Sequence, residues 1–417
     1  MVNIDDVLTK AVALGASDIH LKAGLAPIIR KNGQLMPLES VTDICDPTDL
    51  KDIFFLMTTA QQRAHFEKFR ELDLSYGVTG LGRFRVSVLQ QRGSIRIVIR
   101  HLSHNIPALE ELHLPPVLKK IAEYERGLVL VAGVTGSGKS TTLASMVDYI
   151  NRNHSKHIIT LEDPIEYALK DRKSLITQRE LGSDTNSFSS ALRAALRQDP
   201  DVILIGEMRD LETINIALLA AETGHLVLST LHTTDATETI NRILAAYPPL
   251  QQTQIRLQLA TSLKAVVCQR LAQRADGEGR VPAVEIMVNT PRTAEMISEP
   301  SKTKNLINAI EEGFEPYGMQ SYDQSLMKLV TEKIISQSEA TKLSTHPENF
   351  TLRMKGITSM DGKKWNKFDV GGRANTAETI ESAKIELDLE IEKNDKSEKI
   401  DGQKASYFSK LKKIKSS

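Results

Sequence analysis

One stretch constrains this chain more than any other: Gly133-Val134-Thr135-Gly136-Ser137-Gly138-Lys139-Ser140. It satisfies every fixed position of the phosphate-loop pattern G-x-x-x-x-G-K-[ST], and its flanks suit that pattern. Residues 128–132 are an apolar run of strand length, and a helical pattern opens at Ser140 and continues to Asn151. A strand, a glycine-rich turn and a helix in that order aim backbone N–H groups and a helix N-terminus at a phosphate chain. Gly133, Thr135, Gly136, Ser137, Gly138, Lys139, Ser140 and Thr141 are therefore the candidate phosphate contacts. Lys139 would reach the β- and γ-phosphates, and the Ser140 hydroxyl would ligate Mg²⁺. The chain is expected to bind a nucleoside triphosphate such as ATP.

The rest of the sequence must build a sheet around this loop. Between about 114 and 290, apolar runs at 128–132, 158–161, 202–205, 226–229 and 283–288 alternate with helical patterns. Continuous rather than alternating apolar runs indicate strands covered on both faces, hence an α/β fold with a mostly parallel sheet. Upstream, residues 4–15 and 48–69 read as helices. From Leu72 the period becomes two, broken by Thr79-Gly80-Leu81-Gly82 and by Arg92-Gly93, which indicates antiparallel hairpins. Residues 1–100 thus read as a small α+β domain, 101–113 as a linker, and 114–355 as the nucleotide domain with C-terminal helices. In those helices Leu326, Leu329, Val330 and Ile334 are spaced for one buried face. A turn is expected at Asn32-Gly33.

Beyond residue 371 large apolar residues thin out and Glu, Lys, Asp and Ser dominate, a disorder signature. The charge there is segregated, with Glu378, Glu381, Glu386, Asp388, Glu390 and Glu392 before Lys410, Lys412, Lys413 and Lys415. A solvated tail and a short docking helix using Tyr407, Phe408, Leu411 and Ile414 both remain open.

Lys plus Arg and Asp plus Glu each number 53 in the 417 residues, so no net field favours nucleic acid as a partner. Cys45 and Cys268 lie far apart with no C-x-x-C, which fits a reduced cytoplasmic interior. No run approaches the roughly 18 apolar residues of a membrane-spanning helix, so any membrane association would be peripheral.

Turning a nucleotide site into a hydrolase requires a group that activates water. Asp201-Val202-Ile203-Leu204-Ile205-Gly206-Glu207 is an apolar strand ending in a carboxylate, which a doubly wound sheet would deliver beside the loop. Glu207 is the candidate general base or water-positioning residue and a candidate metal contact; Gly206 stands where an Asp often closes such a strand, which points to magnesium contact through water or through a different carboxylate. Glu162, in Glu162-Asp163-Pro164-Ile165-Glu166, is a second candidate for Mg²⁺ or water. His225 and His232 bracket the run 226–229; His232, toward its carboxyl end near the nucleotide edge, takes the site role, whereas His225 is expected to hold local structure or an interface. Arg85 and, on the next strand, Arg96 and Arg100 would enrich one sheet face in guanidinium groups, as an ordinary charged surface or as arginine fingers given to a neighbour. Arg193 and Arg197, spaced i and i+4, are further anion-contact candidates.

These segments, in this order, resemble the Walker A, Asp, Walker B and His boxes of the type II/IV secretion ATPases. Quoted as they stand, they are 133–140, Ile159-Thr160-Leu161-Glu162-Asp163-Pro164-Ile165-Glu166, the run 196–210, and Glu222-Thr223-Gly224-His225 through His232. With Gly15-Ala16-Ser17-Asp18-Ile19-His20, the chain resembles the type IV pilus twitching-motility (retraction) ATPases, the PilT/PilU family, over roughly residues 1–360. The resemblance implies a PAS-like N-terminal domain, a RecA-like ATPase domain and a homohexameric motor ATPase with ATP and Mg²⁺. It places that motor on the cytoplasmic side of the inner membrane, at the pilus base, against a platform protein and possibly a paralogous retraction ATPase. It also implies that Arg85, Arg96 and Arg100 are the arginines turned toward nucleotide. An accessory PilU-type ATPase, or a nucleotide-gated structural subunit beside a main motor, is the alternative. The stretch 304–312 keeps Asn305-Leu306-Ile307 but lacks the arginines usual there in retraction ATPases.

Overall fold

The computed structural model describes residues 2–31, 33–102 and 105–355. Asn32, Ser103, His104 and everything from 356 onward, including the tail and its 407–414 segment, lie outside the described residues. The chain divides into a unit of residues 1–345 and one of 346–417. In the second, the described structure is the helix Pro347–Met354.

The first unit contains two sheets. Strands β1 (Asp18–Lys22), β2 (Ile28–Lys31), β3 (Gln34–Pro37), β4 (Glu71–Val78), β5 (Gly82–Gln91) and β6 (Ser94–Leu102) form an antiparallel sheet of order β3-β2-β1-β6-β5-β4. The period of two is decisive here: Phe84, Val86, Val88, Ile97 and Ile99 point into a core shared with helices Ile4–Ala13 and Pro47–Met57. The intervening residues point the other way, and Arg85 lies directly across from Arg100 in the β5–β6 register, with Leu89 across from Arg96. Arg92 and Gly93 both have positive φ, which makes the β5–β6 connection a tight hairpin turn.

One helix anticipated over 48–69 is in fact two, Pro47–Met57 and Ala60–Phe69. The break lies at Thr58 and Thr59, because the Thr59 hydroxyl caps the N–H of Gln62 while the Gln62 side chain returns to the Thr59 N–H. Strand β6 also runs on to Leu102, and Leu109 is buried against the second sheet's core, so 101–113 is not a free spacer over its whole length.

The second sheet comprises β7 (Gly127–Ala132), β8 (His157–Glu162), β9 (Leu175–Glu180), β10 (Val202–Ile205), β11 (Leu226–Leu231), β12 (Leu263–Gln273) and β13 (Arg280–Val288), in the order β13-β12-β7-β11-β10-β8-β9. All neighbours are parallel except β12 and β13. Leu128, Leu130, Ile203 and Ile205 enter one hydrophobic cluster, and Val129, Val131, Val202 and Leu204 another. Both faces are therefore covered, which is why these runs read as continuous apolar stretches.

β9 and β12 are additions to the strands expected from sequence. Of the face expected in the C-terminal helices, Leu326 and Leu329 are buried in helix Tyr322–Thr331, but Ile334 lies beyond it and Met327 and Tyr322 bury in its place. Among the described residues, no helix is long and apolar enough to cross a membrane.

Candidate nucleotide site

The parallel order brings the carboxyl ends of β7, β11, β10 and β8 to one edge, where ligands of such sheets bind. The phosphate loop follows β7, His232 follows β11, Gly206 and Glu207 follow β10, and Glu162 closes β8.

The loop's shape depends on glycine at two positions in particular. Gly133 has φ of 148°, and a Cβ there would lie 2.5 Å from both the Gln269 carbonyl and the Ser137 Oγ. Gly138 has φ of 91° and N-caps helix Lys139–Asn153 with no side-chain cap bond, which leaves the helix's first N–H groups for an anion. A Cβ at Gly138 would meet Gln269 Nε2 at 2.7 Å. Gly138→Ala is thus expected to cost about 1–2 kcal/mol of loop conformation and to weaken nucleotide binding, read by titration with a fluorescent nucleotide. Binding equal to that of the parent protein would show that the loop does not need this backbone shape.

Lys139 Nζ lies inside the loop and donates to the carbonyls of Gly133 and Val134 at 2.9 and 3.1 Å. Burial lowers its pKa, against the opposing pull of the Glu166 and Glu207 carboxylates. A cavity of about 570 Å³ opens over the loop, lined by Thr135, Gly136, Gly138, Lys139, Ser140 and Thr141 and, across from them, by Glu162, Glu207 and His232.

Glu207 is mostly buried at 12% side-chain exposure, its Oε2 lying 2.6 Å from Arg209 Nε and 3.7 Å from His232 Nε2. Glu162 has its pKa raised by burial, in spite of hydrogen bonds from Thr160 and Gln178 that favour the charged form. Gly206 explains why no acid stands before Glu207. Its N–H donates to the Leu161 carbonyl at 2.7 Å, and a Cβ would come within 3.4 Å of the Glu162 Cα. Any side chain at 206 would press on the neighbouring acidic strand end.

A hydroxyl and two carboxylates facing a phosphate loop are hard oxygen donors, the set that Mg²⁺ shares with substrate phosphates. Ser140, Glu162 and Glu207 therefore fit that ion, which Mg·ATP would bring.

Not every sequence candidate reaches the cavity. Gly133 and Ser137 shape the loop from beneath without lining it. Arg193 and Arg197 do not reach it either. Their helix ends at Ala195, Arg193 is ion-paired to Glu212, and Arg197 Nη1 donates to the Arg193 carbonyl at 2.9 Å. Arg85, Arg96 and Arg100 stay on the first sheet, with Arg85 3.8 Å from Asp73 and Arg100 2.8 Å from Asp18, and none lines this cavity. His225 Nδ1 lies 3.0 Å from the Ala220 carbonyl, the local role expected of it.

Sequence reasoning missed Arg209, Tyr167, Arg280 and Gln269. Arg209 was within reach, two residues past Glu207. Gln269 was not, because it approaches the loop only through strand β12, where its Oε1 accepts from Thr142 at 2.9 Å.

The fold and the loop define a P-loop nucleotide-binding protein. The sequence model of the type II/IV secretion system protein family matches residues 2–333, and the chain belongs to that family. It is 44% identical over 352 residues to the type IV pilus retraction ATPase PilT of Pseudomonas aeruginosa, across 84% of this chain and 100% of the relative. With the type IV pilus ATPase PilU of the same organism it shares 40% identity, across 85% and 92% of the two chains. A crystal structure of the pilus retraction motor PilT with bound ADP superposes with a TM-score of 0.76 at 43% identity, covering 84% of this chain and 98% of that one.

Proposed function

We propose that this chain is an ATPase that powers retraction of a type IV pilus. The observation that carries the proposal is the convergence of Lys139, Ser140, Glu162 and Glu207 on one cavity at the edge of a parallel sheet. Similarity spanning the whole of a named pilus retraction ATPase, and 84% of this chain, supplies the biological setting.

In this reading the loop N–H groups and Lys139 hold the β- and γ-phosphates, and Ser140 with the two carboxylates receives the metal. Mg²⁺, when bound, neutralises charge on the transferring phosphoryl group. Glu207 orients and deprotonates the attacking water, and His232 beside it steadies the carboxylate. Residues 1–100 act as a PAS-like domain and 114–355 as a RecA-like one, with 101–113 between them. Six copies form a ring in which Arg85, Arg96 and Arg100 of one subunit face the nucleotide of the next. Closure and release of that cleft around the ring turn a platform protein at the cytoplasmic face of the inner membrane.

A second reading, an accessory PilU-type ATPase, is favoured by the missing arginines in 304–312 and by the similarity to PilU. ATP turnover by the purified protein at saturating Mg·ATP tests the core of both. Sustained turnover that DNA does not stimulate is expected. Absence of turnover would leave a nucleotide-gated structural subunit instead.

A further inference from the structure

Strand β9 lies at the edge of the second sheet, paired with β8 so that Glu180 is across from Glu162. Two of its side chains, Gln178 and Glu180, are spaced by two and share a face. Both grip the loop 163–169 that follows Glu162. Glu180 Oε2 accepts from the Ile165 N–H at 3.2 Å and from Ser75 Oγ of the first sheet at 2.6 Å. Gln178 Oε1 accepts from the Leu169 N–H at 2.8 Å, while Gln178 Nε2 donates to the Tyr167 carbonyl at 3.0 Å and to Glu162 Oε1 at 3.1 Å.

The orientation of this carboxamide is forced. A backbone N–H can only donate and a carbonyl or carboxylate only accept, so a single placement of oxygen and nitrogen satisfies all three partners. Glu162 Oε1 also accepts from Thr160 Oγ1 at 2.6 Å, so two donors fix the plane of the carboxylate. The loop that Gln178 holds reaches the nucleotide side as well, since the Tyr167 hydroxyl lies 2.9 Å from Thr141 Oγ1, beside Ser140.

We propose that Gln178 is a positioning residue for ATP hydrolysis: its carboxamide sets the direction in which Glu162 presents its carboxylate to the cavity and ties that acid to the phosphate-loop helix through Tyr167. The proposal rests on the reading of Glu162 as a metal or water contact. Outer partners that orient a metal-site carboxylate are generally worth 10–100-fold in affinity or activity.

Gln178→Glu, taken together with Glu162→Gln in a double-variant cycle, separates positioning of Glu162 from stapling of the loop. It keeps an acceptor for the Leu169 N–H, but it removes the donor shared by Glu162 and the Tyr167 carbonyl and sets a like charge against Glu162. The full chain and its Gln178→Glu, Glu162→Gln and doubly substituted forms would be compared in kcat, in the Mg²⁺ concentration giving half-maximal turnover, and in fluorescent ADP binding with Mg²⁺ and with EDTA. Gln178→Glu is expected to lower kcat or to raise the Mg²⁺ requirement by about 10–100-fold. ADP binding in EDTA should stay at the parent value, and the double variant should be no worse than Glu162→Gln alone, whereas loss of the Tyr167 staple would add to it. Parent-like behaviour of Gln178→Glu beside an impaired Glu162→Gln would overturn the positioning role and leave Glu162 in place, and so would additive losses in the double variant. A fully active Glu162→Gln would remove the Glu162 reading itself.

Discussion

Glu207→Gln is expected to bind ATP as the parent protein does and to lose about 10²–10⁴-fold in kcat. The substitution is close to isosteric, and a carboxamide oxygen still accepts from Arg209, whose Nε lies 2.6 Å from Glu207 Oε2. Local geometry is therefore kept, the carboxamide oxygen can still meet the metal as a neutral oxygen donor, and what disappears is the capacity to take a proton from water. The effect belongs in kcat and not in nucleotide affinity, because Lys139 and the loop N–H groups that hold the phosphates are untouched. Quenched-flow hydrolysis beside equilibrium nucleotide binding separates the two quantities. Hydrolysis at the parent rate would reassign the base, and Glu162 would be the next carboxylate to test.

The second large effect lies away from the cavity, at Glu285 on β13. This carboxyl is buried and accepts the Ala236 N–H at 2.8 Å, at the start of the helix Ala236–Ala245 that follows His232. Burial pushes its pKa from 4.5 up to about 7. The Ala236 N–H and Arg270 favour the charged form, while Asp235 and Asp323 oppose it. The folded state thus holds a proton that the unfolded chain releases at lower pH. Glu285's contribution to stability is fully present below the unfolded pKa and is lost as pH rises through the folded one, a swing of roughly 3 kcal/mol. Glu285→Gln keeps an acceptor for Ala236 without carrying a charge. It should match the parent protein near about pH 4 and exceed it near about pH 8, in urea unfolding followed at both. Parallel stability curves for the two proteins would show that this carboxyl does not titrate across that range.

How legible these features were in sequence depended on whether the information is local. The phosphate loop announces itself because its glycines and lysine are contiguous and the strand and helix on either side carry their own signals. The acidic ends of β8 and β10 follow from the same logic, an apolar run stopped by a carboxylate. β12 was hidden because it begins at Leu263, directly after the helix Pro249–Ser262 with no turn residue between them. β9 was hidden because Leu175-Ile176-Thr177-Gln178-Arg179-Glu180 is polar at its end and is a strand only by pairing with β8. Roles that rest on those two strands could not be read from sequence. Gln269 meets Thr142 across 127 positions, and Gln178 finds Glu162 through strand pairing. Arg193 and Arg197 show how little spacing alone says about where side chains end up. The i, i+4 spacing was real, but the helix stopped at Ala195 and the first arginine was taken by Glu212. The arginines of β5 and β6 share a face as their alternation indicated, yet alternation cannot say what that face meets.

On the proposed reading, ATP turnover at Lys139 and Glu207 withdraws a pilus. Fluorescently labelled pili, imaged on living cells whose copy of this gene has been deleted, test it most directly. Deletion cells are expected to be hyperpiliated, non-motile and unable to shorten their pili. Retraction should return with the parent gene and fail to return with the Lys139→Ala or Glu207→Gln form. Deletion cells that lose their pili altogether would contradict it and mark the chain as a motor for extension.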